Sequence, residues 1–469
     1  MKNLLPLICI CVVLFTSCSR QPARHLTDEP FRSVFHHTPE AKWMNDPNGM
    51  YYDEATGTWH LYYQYNPNAT VWGPMHWAHS VSRDLIHWEH QSIVLFPDSL
   101  GTIFSGSAVI DRENTAGFGV NAVVAIYTQS EYIGQNQSIA YSLDGGMSFT
   151  KYEGNPVLMG DIADFRDPKV MWDGTQWVMT LACQQEIRFY GSPDLKQWTL
   201  LSRFGEGYGN HGGVWECPDL IKMDGHWMLL VSINPGGPFG GSATQYFVGN
   251  WDGKEFTCID EPDEQKWLDY GKDNYSTFTF HNSPDSRIVS LGWMSNWQYA
   301  QQVPTVAFRS QNTIARDLSL YIDDADEYRV RVVPSAENGA LRGKQLKQPA
   351  DACIIELEMP QADKPAVVTL CNDRGEQVVM TLDFEAQTFS MDRTASGDCS
   401  FSADFAAVTT TPLFVQHETQ HITLFIDHCS IEAFGTDGAW AMTNLVFPAT
   451  PYDKLEVVGG KATIYAIQY

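Results

Sequence analysis

The sequence has little positive charge. Its 469 residues include 30 lysines and arginines against 56 aspartates and glutamates, a formal net charge of −26. Nucleic acids and anionic membrane surfaces are held by cationic patches, so the charge balance argues against both as partners. Hydrophobic residues make up 43% of the chain and charged residues only 18%, which excludes a disordered chain and indicates packed cores.

Patterns typical of metal and cofactor sites are also missing. Seven of the ten cysteines follow residue 18, at wide spacings and with no CxxC pair, so neither a disulfide framework nor a zinc site is indicated. The acidic runs lack the ligand spacing of a calcium loop, and no glycine-rich loop precedes a helix-like segment. We therefore expect no metal and no cofactor.

The only long apolar run lies at the N-terminus. Residues 4–15 are apolar, which is too short to anchor a chain across a bilayer, and Thr16-Ser17-Cys18 follows. The pattern predicts a signal peptide of the lipoprotein type over residues 1–18, with Cys18 lipidated and residues 19–30 as a tether. An ordinary cleaved signal peptide is the alternative. We expect an exported enzyme that is held at a membrane by a lipid anchor, in the periplasm or at the cell surface.

A repeat occupies the first two thirds of the chain. Five segments share an apolar, aromatic and β-branched texture and begin about 50 to 65 residues apart, the scale of a propeller blade. They start at Thr58, Ala122, Gln176, His226 and Arg287. The repeat predicts an all-β five-bladed β-propeller over residues 31–334, with a large β-sandwich as the alternative. Alternating strands after a linker at 335–344 predict a C-terminal β-sandwich over 345–469.

Carboxylates stand at matched points of three opening strands. Asp46 precedes Pro47, Asp167 precedes Pro168, and Glu216 lies between Trp215 and Cys217. Inner strands of a propeller converge on one axis, where three acids would repel each other and acquire different pKa values. One carboxyl group with a raised pKa beside another that stays ionised suits catalysis at a glycosidic bond. Taken singly, Asp46 could belong to a turn, Asp167 to an ion pair with Arg166, and Glu216 to the rim.

Six motifs carry a resemblance to a known family. They are WMNDPNG at Trp43, FSGSAV at Phe104, RDP at Arg166, WECP at Trp215, GWMSNWQYA at Gly292 and LFIDHCSIEAFGTDG at Leu424. The sequence resembles glycoside hydrolase family 32, which contains invertases, inulinases and levanases. The resemblance implies a five-bladed propeller with a C-terminal sandwich, and a retaining mechanism. It assigns Asp46 as nucleophile, Glu216 as acid/base and Asp167 as transition-state stabiliser.

The same resemblance implies a fructose pocket. Its substrate-binding residues would be Asn45, Gln64, Trp72, Phe104, Ser107, Arg166 and Trp293, with Asp273 and Tyr275 as weaker assignments. Cys217 would tune the environment of Glu216. Pro74 stands where the family commonly has asparagine, which predicts a difference in the pocket rim or in the next subsite.

The expected function is a retaining β-fructosidase that releases fructose from the ends of levan or inulin and also acts on sucrose. An endo-acting levanase or inulinase and a fructosyltransferase are variants of this hypothesis. An inverting arabinanase on the same fold is another enzyme hypothesis. From a different class, the chain could be a non-catalytic sugar-binding lipoprotein. The oligomeric state is left open.

Overall fold

The computed structural model describes residues 29–131, 134–262 and 264–469. The predicted signal peptide, Cys18 and most of the predicted tether therefore lie outside the described residues. Within these ranges the chain forms β-strands and three short 3-10 helices and contains no α-helix. The described residues accordingly include no helix long and apolar enough to span a membrane.

Four antiparallel sheets of the N-terminal region each contain four consecutive strands, with the first strand innermost. The first blade contains Lys42–Asp53 (β1), Thr58–Asn66 (β2), His76–Ser82 (β3) and Trp88–Leu95 (β4). The second contains Thr102–Asp111 (β5), Ala122–Glu131 (β6), Gly134–Ser142 (β7) and Thr150–Lys151 (β8). The third contains Phe165–Trp172 (β9), Trp177–Cys183 (β10), Glu186–Ser192 (β11) and Thr199–Phe204 (β12). The fourth contains Val214–Met223 (β13), His226–Asn234 (β14), Ala243–Trp251 (β15) and Phe256–Cys258 (β16).

The fifth blade closes the ring. Its strands are Tyr275–Thr279 (β17), Val289–Met294 (β18), Gln311–Asn312 (β20), Arg316–Ile322 (β21) and Tyr328–Pro334 (β22), and Pro284–Ser286 is a 3-10 helix. Phe308–Arg309 (β19) comes between β18 and β20 in the chain. Short β19 leaves this sheet and pairs in parallel with β1 of the first blade, where Lys42 lies opposite Phe308. This pairing joins the end of the repeat to its beginning.

Apolar side chains fill the space between neighbouring blades. Val109 and Ile126 of the second blade pack with Phe165 and Met179 of the third. Tyr62 of the first blade and residues of the second form an equivalent cluster. Since both faces of each blade are covered, its strands are apolar on both sides, and this produced the dense aromatic and β-branched texture of the sequence.

The C-terminal region is a sandwich of two antiparallel sheets. One sheet contains Arg342–Leu346 (β23), Cys353–Pro360 (β24), Thr419–Asp427 (β29), Ser430–Phe434 (β30), Ala441–Leu445 (β31) and Lys461–Ile467 (β33). The other contains Ala366–Cys371 (β25), Gln377–Asp383 (β26), Thr388–Ala395 (β27), Val408–Pro412 (β28) and Lys454–Val458 (β32). Their inward side chains form one apolar core, and Thr436–Gly438 is a 3-10 helix.

This architecture confirms the all-β fold class, a five-bladed β-propeller followed by a β-sandwich. Between the two regions, Ala336–Leu341 forms a 3-10 helix and β23 begins at Arg342. Strand pairing with β33 therefore starts within the segment predicted as a linker at 335–344. The exact domain boundaries stay predictions.

Candidate active site

Every inner strand carries a β-bulge at the same level of the propeller. Between two successive residue pairs there, the inner strand advances by three residues and its partner by two, so the inner strand has one extra residue. The bulged pairs are Asn45–Asp46 in β1, Phe104–Ser105 in β5, Asp167–Pro168 in β9, Cys217–Pro218 in β13 and Ser276–Thr277 in β17. Bulges redirect side chains and recur beside functional sites. Here the five bulges make a polar ring around the axis.

The local sequence suits this conformation. Proline lacks the N–H that a regular ladder requires, and Pro168 and Pro218 lie within their bulges. Asp167, Cys217 and Ser276 have φ angles of 64°, 50° and 49°, in the left-handed region that non-glycine residues seldom occupy. The surrounding sheet holds these residues in that strained geometry, as is common at functional sites.

Cys217 lies among the acids. Its thiol is 3.7 Å from Oδ2 of Asp46 and 3.5 Å from Oδ2 of Asp167, and the hydroxyl of Ser276 donates to its sulfur at 3.1 Å. Burial raises the pKa of the thiol, and the charges of Asp167, Asp46 and Glu216 raise it further. The side chain therefore stays a neutral thiol that donates a weak hydrogen bond to the carboxylates.

Asp46 is only 8% exposed. The hydroxyl of Ser105 donates to its Oδ2 at 2.6 Å, whereas its buried Oδ1 has no hydrogen-bond partner among the described residues. Burial raises the pKa of Asp46, hydrogen bonds from Ser105 and Asn45 oppose that shift, and the charge of Glu216 adds to it. One carboxylate oxygen is thus fixed and the other is without a protein partner.

Asp167 is held through the backbone. Its own N–H donates to the hydroxyl of Thr128 at 3.0 Å, and its Oδ2 accepts the N–H of Cys217, also at 3.0 Å. Burial raises the pKa of Asp167 to about 7, the nearby Arg166 lowers it, and the charges of Glu216 and Asp46 raise it. Its ionised form is therefore costly to maintain in this site.

Glu216 has the cationic partner. Arg166 donates to its Oε1 from Nε at 3.1 Å and from Nη2 at 2.9 Å, and the hydroxyl of Tyr275 donates to Oε2. Arg166 is itself bonded to Oδ1 of Asp164 at 2.5 Å. The two oxygens of Glu216 therefore have different surroundings: one faces a guanidinium and the other a phenol.

Four of the residues predicted to bind substrate lie beside this ring. Asn45, in the same bulge as Asp46, accepts a hydrogen bond from the indole of Trp43 at 2.8 Å. Gln64 is buried, and its Nε2 has no bonding partner in the described ranges. Phe104 adjoins Ser105, and Trp72, which is 44% exposed, meets its ring edge-to-face at 5.9 Å. These side chains offer an amide donor and an aromatic rim at the mouth of the site.

Three other assignments are placed differently. The hydroxyl of Ser107 donates to the carbonyl of Pro168 and accepts the N–H of Val170, both at 3.0 Å, so it ties two blades together and is not free for a sugar. Trp293 is buried against Trp43, Tyr275 and Trp297, and its indole Nε1 has no hydrogen-bond partner among the described residues, so its place in the pocket stays a prediction. Asp273 pairs with Arg393 of the sandwich, away from the three acids.

Sequence reasoning missed Ser105, the donor to Asp46. The motif Phe104–Val109 contains two serines, and simple strand alternation does not distinguish them because they lie two residues apart. The bulge between Ile103 and Gly106 decides which serine reaches the ring. The signal that could have found it is the matched position of Ser105 and Asp46 within their repeats.

Oδ1 of Asp46 has no hydrogen-bond partner among the described residues and can act as a nucleophile, while Glu216, held by Arg166, can exchange a proton. Among residues 29–131, 134–262 and 264–469, no group of three or more His, Cys, Asp or Glu residues could hold a metal ion. Carboxylates paired in this way on a propeller define a glycoside hydrolase.

Comparison with known proteins identifies the family. The description "Glycosyl hydrolases family 32 N-terminal domain" matches residues 36–333, and "Glycosyl hydrolases family 32 C terminal" matches residues 325–468. The chain therefore belongs to glycosyl hydrolase family 32, as the six motifs indicated.

Several relatives are similar over most of the chain. A levanase of Bacillus subtilis is 43% identical over 92% of this chain and 68% of its own length. An extracellular exo-inulinase of Aspergillus niger is 34% identical over 92% and 93%, respectively. The crystal structure of exo-inulinase from Aspergillus awamori superposes with a TM-score of 0.87 at 32% identity, covering 94% of this chain and 99% of that one. A fructofuranosidase of Schwanniomyces occidentalis complexed with fructose gives 0.83 at 33% identity, covering 94% and 99%.

Proposed function

We propose that the protein is a retaining β-fructosidase that releases fructose from the non-reducing ends of levan or inulin and also hydrolyses sucrose. One observation carries the proposal: Asp46 and Asp167 lie in the bulges of their strands and Glu216 directly precedes the bulge of its own, with Cys217 in contact with the first two and Arg166 bonded to the third. The relatives named levanase and exo-inulinase support the fructan substrate and the exo mode.

In the first step, Oδ1 of Asp46 attacks the anomeric carbon of the terminal fructosyl unit. The glycosidic bond breaks, its electron pair stays on the leaving oxygen, and Glu216 protonates that oxygen. The hydrogen bond from Ser105 fixes the other oxygen of Asp46 and so orients the nucleophile. The product of this step is a covalent fructosyl ester.

In the second step, the ionised Glu216 removes a proton from water, and the hydroxide attacks the same carbon and displaces Asp46. Two displacements retain the anomeric configuration. Arg166 occupies Oε1 of Glu216, so the transferred proton is carried on Oε2, the oxygen that faces Tyr275. Asp167 stabilises the positive charge that develops on the sugar ring in both steps.

The test is a time course of products from levan, inulin and sucrose. We expect fructose as the only early product, and a loss of roughly 10²- to 10⁴-fold in Glu216→Gln, because the amide cannot transfer a proton. Oligosaccharides at early times would show endo action, and transfer products at high sucrose would show a transferase. Activity on arabinan with inversion, or binding of fructan without hydrolysis, would overturn the proposal.

We further propose that the protein is exported and held at a membrane through a lipid on Cys18. The extracellular exo-inulinases among its relatives support export, and the Thr16-Ser17-Cys18 motif supports the anchor. Cys18→Ala is expected to move the activity from the membrane fraction to the soluble fraction. Unchanged fractionation of this variant would rule out the anchor without affecting the enzymatic proposal.

A further inference from the structure

The bulges of three inner strands contain a residue in the left-handed conformation. Asp167 in β9, Cys217 in β13 and Ser276 in β17 have φ angles of 64°, 50° and 49°. Each lies outside the regular pairing of its own sheet, and a non-glycine residue keeps this conformation only where its surroundings hold it. The groups that accept the N–H of these three residues therefore determine the shape of the bulges.

For each of the three residues the acceptor belongs to the preceding blade. The N–H of Asp167 donates to the hydroxyl of Thr128 in β6 at 3.0 Å. That of Ser276 donates to the hydroxyl of Ser232 in β14 at 3.1 Å. The N–H of Cys217 donates to Oδ2 of Asp167 itself, at 3.0 Å. Two uncharged hydroxyls of second strands thus hold two of the bulges, and Asp167 holds the third.

Thr128 is held in one orientation. It is completely buried, and its hydroxyl donates to Oε1 of Gln137, its cross-strand neighbour in β7, at 2.7 Å. Nε2 of Gln137 donates in turn to the carbonyl of Phe165 at 2.8 Å, two residues before Asp167. Because its proton is committed to Gln137, the hydroxyl of Thr128 offers a lone pair to the N–H of Asp167. The second blade therefore fixes the chain of the third blade at two points, Phe165 and Asp167.

Ser232 repeats this arrangement two blades further around the ring. It too is completely buried, and its hydroxyl lies 3.0 Å from that of Thr244, its cross-strand neighbour in β15. The residue that it holds, Ser276, donates its own hydroxyl to the sulfur of Cys217 at 3.1 Å. Through Ser276, Ser232 thus acts on the thiol that contacts two of the acids.

We infer that Thr128 and Ser232 are positioning residues for catalysis, because each holds a left-handed bulge residue of the next blade. Thr128 places Asp167, and Ser232 places the thiol of Cys217 through Ser276. The inference rests on the proposed function, in which Asp167 stabilises the transition state. Neither hydroxyl is available to a sugar, since both are buried and already bonded. Their loss should therefore lower kcat and leave KM nearly unchanged.

Thr128→Val keeps the shape of the side chain and removes the acceptor for Asp167. We expect kcat for levan or inulin to fall roughly 10- to 100-fold, because a small displacement of an aligned group has an effect of this size. Thr128→Ser keeps the hydroxyl and should recover most of the activity. A wild-type kcat in Thr128→Val, or equal losses in Thr128→Val and Thr128→Ser, would overturn the assignment of Thr128.

The matched control is Thr180→Val. Thr180 is a buried threonine of β10, the second strand of the third blade, and its hydroxyl donates to the carbonyl of Lys169 at 3.2 Å. It holds no left-handed residue, so its replacement should leave kcat unchanged. A loss of kcat equal to that of Thr128→Val would show a general effect of buried threonines and overturn the inference.

A double-mutant cycle separates positioning from a general loss of stability. If Thr128 acts through Asp167, Thr128→Val should cause little further loss of kcat once Asp167→Asn has been made. An equal loss with and without Asp167→Asn would overturn the inference, because Thr128 would then act elsewhere.

Ser232→Ala should have a smaller effect, a fall in kcat of roughly 2- to 10-fold, which corresponds to one lost hydrogen bond. This decrease should disappear when Cys217→Ala is also present, since that change removes the thiol. Unchanged kcat in Ser232→Ala, or the same decrease with Cys217→Ala present, would overturn the assignment of Ser232.

Hydrogen exchange tests the contact between Thr128 and Asp167 without using activity. Mass spectrometry of the peptide that contains Asp167 should show faster exchange in Thr128→Val but not in Thr180→Val. Equal exchange in these two variants would overturn the inference. If the wild type hydrolyses none of levan, inulin and sucrose, the proposed function fails instead, and the exchange measurement still decides whether Thr128 holds Asp167.

Discussion

Buried acids occur in two parts of this molecule, and the two parts differ in how many cationic partners the acids have. At the propeller axis, three carboxylates meet with a single arginine, and Oδ1 of Asp46 has no hydrogen-bond partner among the described residues. Between the propeller and the sandwich, by contrast, each buried acid has a cationic partner. Asp46 and Asp167 are buried like the acids of the interface, so the number of partners accounts for the difference.

The interface contains three buried cationic side chains. His36 bonds to Asp427 at 2.8 Å and to Glu432 at 2.7 Å, Arg316 bonds to Glu432 and, at 2.8 Å, to Asp269, and Arg393 bonds to Asp273. Although burial favours the neutral forms, these partners lower the pKa of Asp427 and Glu432 and raise the pKa of His36 to about 9. These charges fasten the sandwich to the propeller.

The comparison shows that the catalytic centre is the less compensated region. Burial raises the pKa of Asp46 and Asp167, whereas the acids of the interface are shifted the other way. Keeping acids ionised without partners costs stability, and a substrate with a developing positive charge supplies the missing partner. Four predictions test this contrast, and the first has the largest expected effect.

Asp46→Asn should reduce kcat by roughly 10⁴-fold or more, because the amide keeps the volume but cannot form the fructosyl ester. Fructose release and thermal unfolding are measured on the same sample. The melting temperature should stay the same or rise, since the variant removes a buried charge. A fall in stability together with activity would mean that Asp46 is structural.

Arg393→Met should lower the free energy of unfolding by about 3–5 kcal/mol, because it leaves Asp273 buried without its cation. Urea unfolding gives the value. Arg112→Met, which breaks an exposed 3.2 Å pair with Glu54, is the matched control and should cost less than about 1 kcal/mol. Similar losses in the two variants would remove the distinction between the interface and an ordinary surface.

Asp167→Asn should raise the free energy of unfolding at pH 7 by about 1–3 kcal/mol while activity falls. The folded pKa of about 7 lies above the ordinary value of 3.8, so between these values the native state binds more protons and wild-type stability declines as pH rises. The variant lacks that decline. The urea midpoints of wild type and variant should therefore differ at pH 7 and be nearly equal at pH 4. The same difference at both pH values would contradict the assignment.

His36→Gln should have its effect on the pH dependence of stability. The folded pKa of about 9 exceeds the ordinary value of 6.5, so the stabilisation by His36 is complete below pH 6.5 and is lost as pH rises through 9. Melting temperatures of wild type and variant should thus differ most near pH 6 and converge above pH 9. His87→Gln, at an exposed histidine, serves as the control.

Much of the fold could be predicted from local pattern. Each blade buries both faces, so every repeat shows a dense aromatic and β-branched run, and the five runs gave the blade number. The acids at Asp46, Asp167 and Glu216 were found because they stand at nearly equivalent points of three opening strands, each within one residue of a bulge or in it. A repeated structural unit produces a repeat of the same period in the sequence, which can be recognised without a structure.

The finer site could not be read in this way. Ser107 was predicted to contact substrate, but its hydroxyl joins two blades. Conversely, Ser105 was not predicted and contacts Asp46, whereas Tyr275, a weaker assignment to the pocket, contacts Glu216. In each case a bulge or a neighbouring blade decides where the side chain points, and neither leaves a mark on the residue's own segment of sequence.

By itself, the sequence determined the all-β class, the repeat, the family and the three acids, because these depend on residue type and period. The tertiary structure alone decided the surroundings of each acid. The partners of Asp46, Asp167 and Glu216 come from strands dozens of residues away, and a pKa depends on distances and burial that arise only when the blades close into a ring.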